Sequence, residues 1–453
     1  MLALAGCETA RNIATAVGGR PAVPEGTPGF VQGFLGGVAA EDPRAAAVAR
    51  EILSAGGNAG DAAVAAGFAM AVTLPSRVGL GGGGACLVYN QRRNITEAVV
   101  FMPGARQAPT GERPAAVPLL ARGLFALHTR FLGGRPFESL IAPAEQMARF
   151  GVPMPAALHA DLTAVRAALF ADADARATYG RPDGGVIEIG TPFRNPALSA
   201  TLAQLRANGV GDLHQGALAA RLVADSARAG GGTFTADELR AALPQLLDPQ
   251  VVSGRGGDRI ALLPPPADGG LATAAALEAL SRGASPMAAQ QAGLEAAARQ
   301  RFGQGSMAML PASAGLVVYD REGNAVSCAF TMNNLFGTGR TMPGMGFLLA
   351  AAPGVGRTTP PLLSAAIAWA PAISGFRMAV AGSGQQAAHS AVAVPLDHIV
   401  LRDGAPADAF ALIPGPGRAQ IAACARYLPG READCATLSD PRGAGVALGA
   451  VDR

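Results

Sequence analysis

The chain has 453 residues, of which 50% are hydrophobic and 15% charged, so a sizeable core can be buried and global disorder is excluded. Its 36 basic residues are all Arg, which excludes a lysine Schiff base, pyridoxal phosphate anchored on lysine and a Walker A phosphate loop. A net charge of +3 spread over scattered arginines makes no basic patch, so nucleic acid is not an expected partner.

In chain order, Leu4-Ala5-Gly6-Cys7 matches the lipobox of bacterial lipoproteins, with Cys7 as the residue to be lipidated. Residues 17–33 are rich in Gly and Pro and suit a tether, so residues 1–30 read as a leader and linker. Asp42 can cap a helix with Pro43 at its first position, and Gly56-Gly57 stops it. Asn58-Ala59-Gly60-Asp61 opens a second, Ala-rich helix. The longest uncharged apolar run, residues 62–75, is shorter than the ~20 residues a spanning helix needs, so none is expected. Strands are expected over 86–90 and 96–101, then helices over 120–131, 139–149, 196–208 and 217–229. Thr235-Ala236-Asp237-Glu238 is a capping box that starts another helix. A strand follows at 259–263, an extended triple proline at 264–266, and a helix from Asp268-Gly269-Gly270.

After Pro311 the character changes. Residues 316–319 and 325–332 read as two strands joined by a tight turn. Further strands are expected near 347–349, 366–369 and 378–381, and helices over 387–394 and 418–426. Cys86 and Cys328 lie in apolar strand-like runs and read as buried thiols. Cys424 and Cys435 flank a Pro-Gly turn and could pair in an oxidising compartment. The five His show no zinc spacing, and neither a metal nor a cofactor is expected.

Gly79-Leu80-Gly81-Gly82-Gly83-Gly84 lies between a helix and a strand, the reverse of a nucleotide-binding loop. It reads instead as a backbone crossing where a Cβ would clash. With Ser54-Ala55-Gly56-Gly57-Asn58-Ala59-Gly60-Asp61 before it, this run resembles the N-terminal signature of the gamma-glutamyltransferase family. The resemblance continues through Phe234-Thr235-Ala236-Asp237-Glu238, Pro264-Pro265-Pro266-Ala267-Asp268-Gly269-Gly270, Asp320-Arg321-Glu322-Gly323-Asn324, Phe336-Gly337-Thr338-Gly339 and Ser439-Asp440-Pro441-Arg442-Gly443. It implies an α+β fold, the four-layer αββα sandwich of N-terminal-nucleophile hydrolases. It also implies self-cleavage, after which the new N-terminal residue attacks the substrate with its own amine as base.

On that resemblance Ser313 falls on the nucleophile position, so residues 31–312 correspond to a large subunit and 313–453 to a small one. Thr331 would support the nucleophile and Asn333 would hold the substrate's amino group. Gly384 and Gln385 would supply oxyanion-hole amides. Arg106, slightly out of register, and Ser364 are the candidates for a substrate carboxylate, with an ordinary loop arginine as the alternative for Arg106. The family's Gln and Asp for an ammonium group are absent, since residues 350–355 read Ala-Ala-Ala-Pro-Gly-Val.

The resulting expectation is a gamma-glutamyltransferase-like amide hydrolase or acyltransferase with altered acyl specificity. Its partner would be a small amide or peptide substrate, it would touch membrane only through a lipid on Cys7, and its two chains would stay associated after cleavage. The location expected is the bacterial periplasm or a lipid-anchored state. The alternative is a catalytically inactive relative that keeps the fold for binding or structure.

Overall fold

The computed structural model describes residues 33–104, 106, 110–111, 113–131, 134–301, 312–353 and 361–449. Its strands are β1 (Gly36–Ala40), β2 (Gly83–Asn90), β3 (Ile95–Phe101), β4 (Val152–Pro153), β5 (Pro192–Phe193), β6 (Gln245–Leu247), β7 (Gln250–Ser253), β8 (Arg259–Leu262), β9 (Ser313–Asp320), β10 (Ala325–Thr331), β11 (Ser364–Ala370), β12 (Gly375–Ser383), β13 (Arg418–Leu428), β14 (Cys435–Ser439) and β15 (Val446–Gly449). Two large antiparallel sheets result. One has the order β15-β1-β9-β10-β2-β3-β6 and the other β14-β13-β12-β11-β8-β7. Both contain strands from before and after Ser313.

Strand side chains alternate between faces, and here both faces are apolar. Ala314, Leu316 and Val318 pack with the helices Pro43–Ser54 and Ala59–Thr73 on the outside of the seven-stranded sheet. Val317 and Tyr319 meet Ile367, Trp369 and Ala379 of the other sheet in the gap between the two. Ala366, Ala368 and Met378 face outward against Ala276 and Leu280 of the helix Gly269–Ser281. The order is helix, sheet, sheet, helix, the αββα sandwich.

Several local expectations hold. Asp42 caps the first helix by accepting from the Ala45 N–H, and Asn58 and Asp61 form a reciprocal capping box on the second. A Cβ at Gly83 would lie 2.0 Å from the Phe101 carbonyl oxygen, and one at Gly82 would lie 2.6 Å from that of Thr331. The glycine run is therefore a close backbone crossing.

Three expectations are corrected. Residues 418–426 are not a helix but most of β13, with Ala419, Ile421 and Ala423 outward and Ala422 and Cys424 inward. A strand buried on both faces shows no apolar–polar alternation, so its pattern mimics a helix. Residues 347–349 make only isolated bridges, at Leu348 and Leu349. Cys86 and Cys328 are not free thiols but a disulfide, because β2 and β10 set them directly opposite each other. Cys424 and Cys435 are likewise paired across β13 and β14.

Candidate active site

The same alternation gathers a group of polar side chains at one end of the inter-sheet gap. Ala39, Val317, Ala329 and Ala381 all face that gap. Two residues along from each, toward one end of the sandwich, stand Glu41, Gly315 leading to Ser313, Thr331 and Ser383. A Cβ added at Gly315 would lie 3.1 Å from the Ala381 Cβ, so β9 and β12 face each other across the gap at this end.

Ser313 opens β9 opposite Thr331, is buried, and its Oγ has no hydrogen-bond partner. The Thr331 hydroxyl donates to the carbonyl oxygen of Ala312 at 2.6 Å and accepts from the Asn333 N–H at 2.7 Å. Asn333 sits at φ 61°, a left-handed conformation that Asn tolerates better than most residues. Its Nδ2 donates to the carbonyls of Ala351 at 2.8 Å and Pro103 at 3.4 Å, which leaves Oδ1 buried without a partner. Gly384 and Gln385 follow Ser383 with φ of 103° and 59°. A Cβ at Gly384 would lie 2.3 Å from the Pro416 carbonyl, so only glycine fits there. Gln385 opens a single 3-10 turn over Gln385–Ala387, and the first N–H groups of such a turn have no acceptor within it.

Behind Ser313 lies a chain of charges that sequence pattern does not disclose. Glu41 Oε1 accepts the Gly315 N–H at 3.0 Å, and its Oε2 accepts from Arg77 at 3.0 Å. Arg77 also makes two bonds of 2.8 Å to Asp161, which accepts the Ser76 hydroxyl at 2.7 Å. Burial raises the Glu41 pKa above the usual carboxylate value, against the opposing pull of Arg77, the facing Ser383 hydroxyl and the Gly315 N–H. Burial disfavours the Arg77 charge too, but Asp161 and Glu41 together hold its pKa above the ordinary arginine value. The Ser383 hydroxyl closes no well-formed hydrogen bond.

Two expected substrate contacts lie elsewhere. The Arg106 side chain is 1% exposed, so it is no loose loop arginine. Its donors are taken by Glu238, Gly231 and Thr233, and its guanidinium lies 4.4 Å over the Phe234 ring. Ser364 shares the outward face of β11 with Ala366, against Gly269, so it does not join Ser313 in the gap. Cys7 and Val355 fall outside the described residues. Ala350, Ala351 and Ala352 are buried. A cavity of about 920 Å³ is lined by Met102, Pro103, Leu119, Leu243 and Pro353, with the Arg106–Glu238 and Arg301–Asp268 ion pairs in its wall, and it meets the site through Pro103, whose carbonyl accepts from Asn333. Among the described residues, no three His, Cys, Asp or Glu side chains gather as metal ligands.

The family described as gamma-glutamyltranspeptidase matches residues 45–304. The chain belongs to this family. It is 28% identical over 261 residues to glutathione hydrolase 2 of Arabidopsis thaliana, covering 55% of this chain and 44% of that protein. It is also 28% identical over 260 residues to the glutathione hydrolase proenzyme of Escherichia coli, covering 53% and 44%. The chain thus spans less than half the length of the curated relatives it matches. Among solved structures it resembles a cephalosporin acylase from Bacillus halodurans, with TM-score 0.71 and 19% identity over 96% of this chain and 99% of that one. It also resembles the Helicobacter pylori gamma-glutamyltranspeptidase, with TM-score 0.50 and 24% identity over 63% and 84%. Likeness at these identities speaks for the fold, here the N-terminal-nucleophile hydrolase sandwich. The family match ends before Ser313, so the roles of the residues in the gap rest on their geometry.

Proposed function

We propose that this family member is an amide hydrolase or acyltransferase with Ser313 as nucleophile, matured by cleavage of the bond before it. The observation that carries the reading is the Thr331 hydroxyl bound to the Ala312 carbonyl, next to the buried and unpartnered Ser313 Oγ. That hydrogen bond polarises the very carbonyl an intramolecular attack would use. Ser313 Oγ adds to the Ala312 carbonyl carbon, the C–N bond breaks, and an ester with a free Ser313 amine remains. Water then hydrolyses the ester, leaving a carboxylate on Ala312 and Ser313 as a new N-terminus. Relatives named as proenzymes accord with such a step.

In turnover the Ser313 amine takes the Oγ proton as Oγ attacks the substrate carbonyl, and returns it to the leaving amine. The resulting acyl ester passes to water or to an amine acceptor. The backbone amides at Gly384 and Gln385 stabilise the oxyanion. Glu41 is a positioning residue: it fixes β9 two residues from the nucleophile and is itself held by Arg77.

The acyl group is apolar rather than glutamyl. A glutamyl head brings an ammonium and a carboxylate, each costly to bury unpaired. Ala350, Ala351 and Ala352 offer no acid for the ammonium, Arg106 is spent on Glu238, and the neighbouring cavity is mostly hydrocarbon. Loss of such a partner costs about 2–5 kcal/mol, or roughly 30- to several-thousand-fold in affinity. A panel of gamma-glutamyl and N-acyl anilides at equal concentration is expected to favour the apolar acyl groups. Preference for the gamma-glutamyl compound would reject this specificity.

Self-cleavage is read by mass spectrometry. With 45.3 kDa shared over 453 residues, pieces of 312 and 141 residues weigh roughly 31 and 14 kDa. Ser313→Ala should leave one chain. A wild-type chain that stays whole would instead favour an inactive binding protein. Among the described residues no helix is long and apolar enough to cross a membrane. Anchoring is assigned to a lipid on Cys7, and radioactive palmitate should label the wild type but not Cys7→Ala.

A further inference from the structure

Cys86 and Cys328 stand 242 positions apart, on opposite sides of the bond between Ala312 and Ser313, and are joined to each other. Cys424 and Cys435, by contrast, both follow Ser313. We propose that the Cys86–Cys328 disulfide links the two chains that cleavage creates, so that the mature protein is one covalent molecule and not a non-covalent pair. This rests on the cleavage described above.

The location of the bond makes it a durable tether. Both cysteines are fully buried, on the face of the seven-stranded sheet that packs against the helices. They sit mid-register in the β2–β10 pair, which runs from Ala325 opposite Tyr89 to Thr331 opposite Gly83. A reductant reaches the sulfurs only when those strands part. The bond also pins β10, which ends in Thr331, to the larger piece through β2. Its formation removes two electrons and two protons from the thiols and reduces a disulfide donor to its dithiol, so it belongs to an oxidising compartment.

A tether changes how the cleaved protein comes apart. Joined chains meet again at a fixed effective concentration, so their unfolding stays unimolecular. Unjoined chains obey mass action, and dilution separates them.

The test uses full-length protein made in an oxidising compartment and alkylated before analysis. Without reductant, a single species that holds both pieces is expected. With dithiothreitol in denaturing urea, which parts the strands, it should split into pieces of roughly 31 and 14 kDa, from the 45.3 kDa total. Two separate pieces without reductant would overturn the tether while leaving the cleavage intact. A chain that stays whole in both conditions would overturn both. A second measurement does not depend on gel mobility. The urea midpoint of the cleaved wild type should be unchanged by tenfold dilution, whereas that of the cleaved Cys86→Ala/Cys328→Ala double variant should fall. Equal dilution behaviour in the two proteins would also reject the tether.

Discussion

The two ends of β9 are built on opposite principles. At the far end, the buried Asp320 carboxylate accepts the N–H groups of Ala59, Glu322 and Asn324 at 3.0, 3.1 and 2.9 Å, and the Asn324 side-chain amide at 2.9 Å. It ties the β9–β10 turn to the start of the helix Ala59–Thr73. At the near end, Ser313 Oγ and Asn333 Oδ1 are equally buried and have no partner. Buried polar groups in folded proteins are nearly always paired. One end of the strand is therefore finished as structure, and the other is left for a ligand or a reacting carbonyl to complete.

The sharpest attack on this contrast is Thr331→Val, which keeps the shape of β10 but removes the donor to the Ala312 carbonyl. Self-cleavage, followed by mass spectrometry over time, should slow by about two to three orders of magnitude, the scale of losing one oxyanion donor. An unchanged rate would mean that the near end is only structural. At the far end, Asp320→Ala strands several N–H donors and should cost about 3 kcal/mol of stability. Urea unfolding on a Ser313→Ala background reads that cost without interference from cleavage, and a cost near zero would remove the contrast.

Asp320 also gives the far end a pH signature. Burial, opposed by the Asn324 bonds, raises its pKa from 3.8 to about 6. The folded state then holds a proton that the unfolded state has released, so stability is greatest below the unfolded value and falls as the pH rises from about 4 to 6. The loss is at most about 3 kcal/mol. Thermal midpoints of Ser313→Ala across this range should fall with rising pH, and adding Asp320→Asn should flatten the slope. The smallest effect is expected at Glu41. Glu41→Ala leaves Arg77 paired with Asp161 but frees the Gly315 N–H, and should slow self-cleavage about tenfold, near the energy of one hydrogen bond to a charged group. Glu41→Gln, which keeps an acceptor, should recover most of that rate. Equal rates in the two variants would show that accepting the Gly315 N–H is not what Glu41 contributes.

How much could be read beforehand follows from the distance over which each feature is encoded. Asp42, Asn58 and Asp61 announce their helices because a cap acts within one turn. The crossing at Gly79–Gly84 and the β9–β10 hairpin are legible for the same reason. Glu41, Arg77 and Asp161 are not, since only the assembled sheets and helices bring such distant positions together. The Cys86–Cys328 bond needed the β2–β10 register, and the outward turn of Ser364 needed the parity of β11. β13 misled because burial on both faces erased the period that marks a strand.

The order of strands has a consequence for how the molecule is made. β9 and β10 lie between β1 and β2, and Glu41 meets Gly315 across 274 positions of chain. When residues 45–304 leave the ribosome, the seven-stranded sheet still lacks its two central strands. The apolar faces of β1 and β2 must wait uncovered for sequence not yet synthesised. Contacts of such long range form slowly and leave sticky surface exposed in the interval. The stretch that carries the family match thus holds only part of each large sheet. The sheet that carries Ser313 and Thr331 is complete only once both have been synthesised.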